Sequence, residues 1–168
     1  MGFHSLKDVL QEQLEDLYSA ETQLTAALPN MARAAHDDQL REAFEHHLEE
    51  THDHLKRVKE ALGEIGVSSP TEVCRGMKGL IAEGEKLMHE EGDPMAQDAA
   101  LVAAAQRVEH YEIAAYGTAR QLAGDCGFDG IKDLMDQTLD EESQADKLLT
   151  KIATGGMFKS GVNQQAMT

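Results

Sequence analysis

Apolar residues recur at helical spacing in four long stretches of this chain, and in two of those stripes a glutamate stands where a core residue is due. The stripe Leu10, Leu14, Leu17, Leu24, Leu28, Met31 contains Glu21, and the stripe Leu101, Ala104, Val108, Ala115, Ala119, Leu122 contains Glu112, with Glu109 on its flank. Burying an ionised carboxylate costs on the order of several kcal/mol unless a cation or a dense set of hydrogen bonds offsets it. Both stripes therefore ask for a positive partner. Placing Leu17 on Val108 also places Glu21 on Glu112, an offset of 91 residues, as in two halves of a duplicated helical hairpin.

Local punctuation sets the order of elements. Ser5-x-x-Asp8 resembles a capping box and starts a helix that runs toward Ala35, with Pro29 predicting a kink or a break and restart. His36-Asp37-Asp38 is a turn, and helix two follows through Leu62 on the stripe Leu40, Ala43, Phe44, Leu48, Leu55, Val58, Leu62, ended by Gly63 and Gly66. So short a connection makes helices one and two antiparallel neighbours. Ser69-Pro70-Thr71-Glu72 predicts the start of a crossover helix over about 70 to 91, interrupted by Gly76, Gly79 and Gly84. Such a crossover lets the second and third main helices run parallel. Asp93-Pro94 begins helix three, which reaches about Ala123. A glycine-rich turn to Gly130 then leads to helix four, with the stripe Ile131, Leu134, Met135, Thr138, Leu139, Glu142, Leu149, Ile152, ending near Ala153.

The expected fold is therefore all-α: a four-helix bundle of two antiparallel hairpins with an extra helix in the long crossover. Residues 1–154 form one domain, and residues 155–168, which lack periodicity, form a flexible or partner-dependent tail. A formal charge of −16 argues against nucleic acid or an anionic membrane surface as partner and favours cations. No apolar run approaches the roughly 18 residues of a membrane span, and the N-terminus lacks the layout of a signal peptide. Cys74 and Cys126 lie far apart and in no CxxC pair, so the chain reads as cytoplasmic with free thiols.

A carboxylate-bridged pair of metal ions in a helical bundle takes a single glutamate from each of two helices and a glutamate with a nearby second ligand from each of the other two. Hard oxygen donors with one or two imidazoles suit iron or manganese. Glu21 and Glu112 are the single glutamates. At matching depth, helix two offers HHLEETHDH, residues 46 to 54, and helix four offers DEESQAD, residues 140 to 146. In helix four the choice is Glu142 with Asp146. In helix two it is Glu50 with His54, or alternatively Glu49 with His52. Glu50 and His54 overlay Glu142 and Asp146 at an offset of 92 rather than 91. His47 reads as a hydrogen-bonded interior residue rather than a ligand, and His46, Glu49 and Glu141 read as surface. Tyr18, Tyr111 and Tyr116 pack, with phenol groups able to donate to ligand carboxylates.

The segments DLYSAETQL, HLEETHDHLKRV, CRGMKGLIAE, DAALVAAAQRVEHYEIAAYGT and TLDEESQADKLLTKIA, in order along residues 5 to 153, resemble the bacterial YciF and YciE family of ferritin-like stress proteins. The resemblance implies a rubrerythrin-like bundle, a homodimer, a dinuclear metal site and a link to stress responses. It carries over Glu21, Glu50, Glu109, Glu112, Glu142 and Asp146 as the family's acidic positions. The function expected is that of a di-iron or di-manganese oxidoreductase acting on peroxide or dioxygen. The alternatives are an iron-oxidising or iron-binding protein, and a metal-free helical interaction module.

Overall fold

The structure, a computed structural model, describes residues 2–156 and 159–167. Its described residues form α1 (Leu6–Ala34), α2 (Asp38–Glu64), α3 (Arg75–Met88), α4 (Pro94–Asp125), α5 (Asp129–Thr154) and the single turn α6 (Val162–Gln165). The main helices begin and end largely where local chemistry says they should. Ser5 Oγ accepts from Asp8 N at 3.3 Å and the Asp8 carboxylate accepts from Ser5 N at 2.8 Å, which completes the capping box. Asp37 and Asp93 cap α2 and α4 in the same spirit, each accepting from two backbone amides of the first turn.

The C-terminal ends of α2 and α4 close alike. Past α2, Gly66 takes φ +90°, letting Val67 N donate to Leu62 O at 2.9 Å, and past α4, Gly127 at φ +77° lets Phe128 N donate to Ala123 O at 2.9 Å. α1 runs unbroken through Pro29, so the predicted restart does not occur. One missing donor in a helix packed along its whole length against α2 and α4 does not end it.

The crossover departs from its local signal. Ser69-Pro70 starts no helix; residues up to Cys74 stay non-helical and α3 begins only at Arg75. Side chains of α1 hold this stretch open. Glu15 accepts from Thr71 N at 3.3 Å, Ser19 Oγ accepts from Cys74 N at 2.9 Å, and Gln23 Nε2 donates to Cys74 O at 3.0 Å. Cys74 Sγ then caps the helix by accepting from Met77 N at 3.3 Å. α3 lies against α4 and α1, and a Cβ at Gly76 would sit 2.7 Å from the Tyr111 ring. Gly76→Ala should therefore destabilise the fold by about 1–3 kcal/mol through overpacking. Urea unfolding checks this, and an unchanged midpoint would mean that α3 is free to shift outward.

α1, α2, α5 and α4 pack in that cyclic order. Arg57 reaches Thr138 at 3.0 Å while His47 and Leu148 line one cavity, so α2 and α5 are antiparallel. Leu24 and Ala27 share a wall with Ala104 and Val108 while Asp16 lies with Ala114 and Thr118, so α1 and α4 are antiparallel too. It follows that α2 and α4 run parallel, as the long crossover requires. The core is split in two. One apolar cluster gathers Leu24, Leu28, Phe44, Val102, Val108 and Leu149; the other gathers Leu14, Leu17, Val58, Tyr116, Ala119 and Met135. Between them each long helix contributes polar residues: Glu21; His47, Thr51 and His54; Glu109 and Glu112; Thr138 and Glu142, all buried.

The tail expected over 155–168 is packed in its described part rather than free. Gly156 N donates to Lys159 O at 2.9 Å, and Val162, only 1% exposed, inserts into the core beside α4 and α5. An aliphatic side chain with a place in the core outweighs the weak helix propensity of so short a stretch. Positions 157, 158 and 168 of that tail lie outside the described residues. No helix among the described residues is long and apolar enough to cross a membrane.

Candidate metal centre

The polar layer between the two cores holds two sets of ligand-type atoms. His47, Glu109, Glu112 and Glu142 form one, and Glu21, His54 and Glu142 form the other, each with its ligand atoms within 4.8 Å of one another. Glu142 belongs to both. Its Oε1 lies 3.0 Å from His54 Nδ1 and its Oε2 lies 3.7 Å from His47 Nε2; Glu21 Oε1 is 3.4 Å from His54 Nδ1, and Glu109 Oε1 is 3.5 Å from His47 Nε2.

These groups are close, but their inward-facing atoms make no well-formed hydrogen bonds. Both oxygens of Glu112 and of Glu142, Glu109 Oε2, Glu21 Oε2, His47 Nε2 and His54 Nδ1 are buried with no hydrogen-bond partner. Native interiors leave few such atoms, and a cluster of them aimed at common points is the arrangement that a cation satisfies. Charge agrees: the carboxylates of Glu21, Glu109, Glu112 and Glu142 match two divalent cations, with both imidazoles neutral as ligands must be. The donor set, oxygen-rich with two imidazoles, fits iron or manganese.

Without a cation the cluster must hold protons. Burial drives the Glu112 carboxyl well above the carboxylate range, and Glu142, Glu21 and Glu109 push the same way. Burial likewise raises Glu109 well above it, against the pull of His47. The imidazoles move upward as well. Burial opposes charge on His54, but Glu142 and Glu21 outweigh it and push it up to about 11; for His47, Glu109, Glu50 and Glu142 overcome burial and push it up to about 10.

Supporting contacts fix ring and carboxylate orientations. Glu141 Oε2, which can only accept, lies 3.0 Å from His54 Nε2, so that nitrogen carries the proton and Nδ1 faces Glu21 and Glu142. Glu141 is itself gripped by Arg57, whose Nη2 donates to Oε1 at 3.0 Å. Tyr116 Oη donates to Glu21 Oε1. Tyr111 instead donates to Asp16 at 2.6 Å and touches Cys74 Sγ at 3.0 Å, so it anchors the crossover rather than a ligand.

Of the residues singled out in the sequence, the structure gathers Glu21, His54, Glu109, Glu112 and Glu142 in this layer, and it separates Glu50 and Asp146 from the two sets. Glu50 stands at the rim, 26% exposed, between His46 and His47. Asp146 accepts from Gln106 Nε2 at 3.0 Å and lies 3.3 Å from His110 Nε2. It stands level with Glu109 but is turned toward these two α4 side chains, 22% exposed, rather than inward. The alternative pair Glu49 and His52 is exposed. His47, which the sequence places in the interior but not among the ligands, belongs to the first set, and Phe44, His47, Thr51, His54 and Val58 follow helical spacing down one buried line.

Comparison with known proteins places this chain among relatives. The family described as "Domain of unknown function (DUF892)" matches residues 5–167. "Protein YciF" of Escherichia coli strain K12 is 40% identical over 165 residues, 98% of this chain and 99% of that protein. The crystal structure of the E. coli stress protein YciF superposes with a TM-score of 0.85 at 41% identity, covering 89% of this chain and 94% of that one. A ferritin-like, diiron-carboxylate protein from Bacillus anthracis str. Ames superposes with a TM-score of 0.68 at 15% identity, covering 89% of this chain and 98% of that one, which shows a common ferritin-like fold.

Proposed function

We propose, from the premise that this chain belongs to the DUF892 family and has the ferritin-like fold, that it is a dinuclear iron or manganese protein that reacts with peroxide or dioxygen in a bacterial stress response. The observation that carries the reading is the buried layer of unpaired carboxylate oxygens and imidazole nitrogens converging from four helices. Bound there, the ion pair would supply electron transfer and a Lewis-acidic seat for an O–O bond.

The residues divide that task. Glu142 is the shared carboxylate. His47, Glu109 and Glu112 serve one position, and Glu21 with His54 serves the other. Glu141 and Tyr116 hold their partners in register, and the two apolar clusters above and below exclude bulk water. A cavity of about 240 Å³ reaches Glu109 and His47 from the surface, room enough for a small oxidant. The chain has no CxxC pair of the rubredoxin type, so a peroxidase reaction would draw on an external donor. Free thiols at Cys74 and Cys126 accord with a cytoplasmic setting, and we retain a homodimer as the assembly.

Anaerobic titration of the metal-free protein with Fe²⁺ or Mn²⁺ tests this. Binding should saturate at two ions and release up to about two protons per ion near pH 7, because His47, His54, Glu109 and Glu112 all have raised proton affinities in the metal-free state. Groups that keep their protons until the ion displaces them make affinity climb with pH, so binding should tighten between pH 6 and pH 9. Protein that takes up no ion leaves only a helical interaction module. Peroxide consumption with and without a reductant then separates an oxidoreductase from a protein that oxidises or sequesters iron.

A further inference from the structure

We infer that Glu50 and His46, at the mouth of the cleft between α2 and α5, form an outer binding site for a divalent cation, from which the ion passes along His47 to the buried cluster. The inference rests on the dinuclear reading above and adds the route by which the ions arrive.

The cleft is the cavity of about 240 Å³ whose wall includes Phe44, His46, His47, Glu50, Glu109 and Leu149. Exposure falls steadily along its polar wall: His46 is 64% exposed, Glu50 26%, His47 7% and Glu109 4%. At the inner end, Glu109 Oε2 and His47 Nε2 are buried and unpartnered, so the passage ends on atoms that lack a partner.

Glu50 lies between two imidazoles. Its Oε1 is 3.4 Å from His46 Nε2 and its Oε2 is 3.5 Å from His47 Nδ1, both beyond the usual 2.7–3.2 Å of a well-formed hydrogen bond. His47 thus has one ring nitrogen turned to the outer carboxylate and the other turned to Glu109 and Glu142, at 3.5 and 3.7 Å. An ion held outside by one carboxylate and an imidazole has fewer and weaker ligands than it meets inside, so passage runs toward the cluster.

Electrostatics favour the same route. Among the described residues no lysine or arginine lines the cavity, its opposite wall is Ala145, Leu148 and Leu149 with one neutral polar side chain, Gln144, and the protein carries a formal charge of −16. An anionic group in a low-dielectric cleft concentrates cations there and speeds their arrival. Elsewhere the described cluster residues Glu21, His54 and Glu112 are fully buried, and the Arg57–Glu141 ion pair with Thr138 covers the His54 end.

The test is stopped-flow loading of the metal-free, full-length protein with Co²⁺, followed by its visible absorption at low ionic strength, for wild type, Glu50→Gln and His46→Ala. Glu50→Gln should load roughly tenfold or more slowly, with the final number of bound ions unchanged. His46→Ala, at a largely exposed position that leaves folding intact, should slow loading in the same sense. Added salt should shrink both differences by screening the cleft. Wild-type rates in both variants overturn the inference while leaving the dinuclear site standing. So does a reduced final ion number in Glu50→Gln, which would make Glu50 a ligand of the cluster itself. A wild-type protein that binds no Co²⁺ overturns both readings.

Discussion

Glu142→Gln is expected to lose both ions, whereas Glu21→Gln should lose only the ion on the His54 side. Glu142 is the residue common to the two ligand sets, and neither of its oxygens has a hydrogen-bond partner. An amide of the same shape keeps the volume of the side chain, so the apolar clusters on either side remain packed. It carries no charge and a single weak donor oxygen, so it cannot bridge two cations. Metal analysis of gel-filtered protein after anaerobic loading reads the result, with circular dichroism confirming the helices. Retention of one ion by Glu142→Gln would confine Glu142 to a single position, and retention of both would remove it from the centre.

Removing Glu142 also unbalances the layer without metal. Burial opposes its ionisation, yet His54 and His47 together hold its carboxyl below the usual range, so it is the anion against which both imidazoles keep their protons. Glu142→Gln should therefore weaken proton binding at His54 first, since Glu142 is the leading influence that raises it.

What could be read in the chain, and what could not, follows from how local each cause is. The Ser5–Asp8 box, the Asp93-Pro94 start and the glycines after α2 and α4 act within a few residues, and they appear in the fold as written. Glu21, Glu112 and Glu142 were legible because a carboxylate inside an apolar stripe is costly wherever the stripe packs. Ser69-Pro70 misled for the opposite reason. Its capping preference is worth about 1 kcal/mol, and three α1 side chains more than fifty residues away hold the following backbone in another conformation.

Helix two shows a subtler loss. Leu48 and Leu55 are only half-buried, but as large aliphatics they drew the apparent centre of the face away from the line through Phe44, His47 and His54. The buried polar residues lay on the true centre, so His47 was passed over as a ligand while Glu50, on the rim, was selected. Asp146 lies near the face of Glu142 on the helical wheel, but four residues turn it about 40° round the axis, and it faces Gln106 and His110 of α4 instead of the cluster.

The second large effect concerns the cost of having this centre at all. Glu112 is fully buried, its two oxygens have no partner, and burial reinforced by Glu142, Glu21 and Glu109 raises its proton affinity well above the ordinary. Glu112→Met, similar in length and free of that penalty, should make the metal-free protein more stable by about 1–4 kcal/mol, the usual gain when buried charge gives way to apolar packing. In a chain of this size each kcal/mol shifts the melting temperature by about 2–4 °C. The pH dependence fixes the sign. A carboxyl whose folded proton affinity is raised costs stability above its unfolded pKa, here 4.5, and costs more until the pH passes its folded value. The advantage of the variant should therefore be small near pH 4 and grow toward pH 8. Excess Mn²⁺ should then reverse the order, because an ion bound only to the folded state adds about 2.7 kcal/mol at a hundredfold excess over its dissociation constant, and the variant has lost a ligand. Calorimetric melts with chelator and with Mn²⁺ across that pH range read both halves. If Glu112→Met melts below wild type in chelator at pH 7, the carboxyl is satisfied by partners of its own and is not held in reserve for a cation.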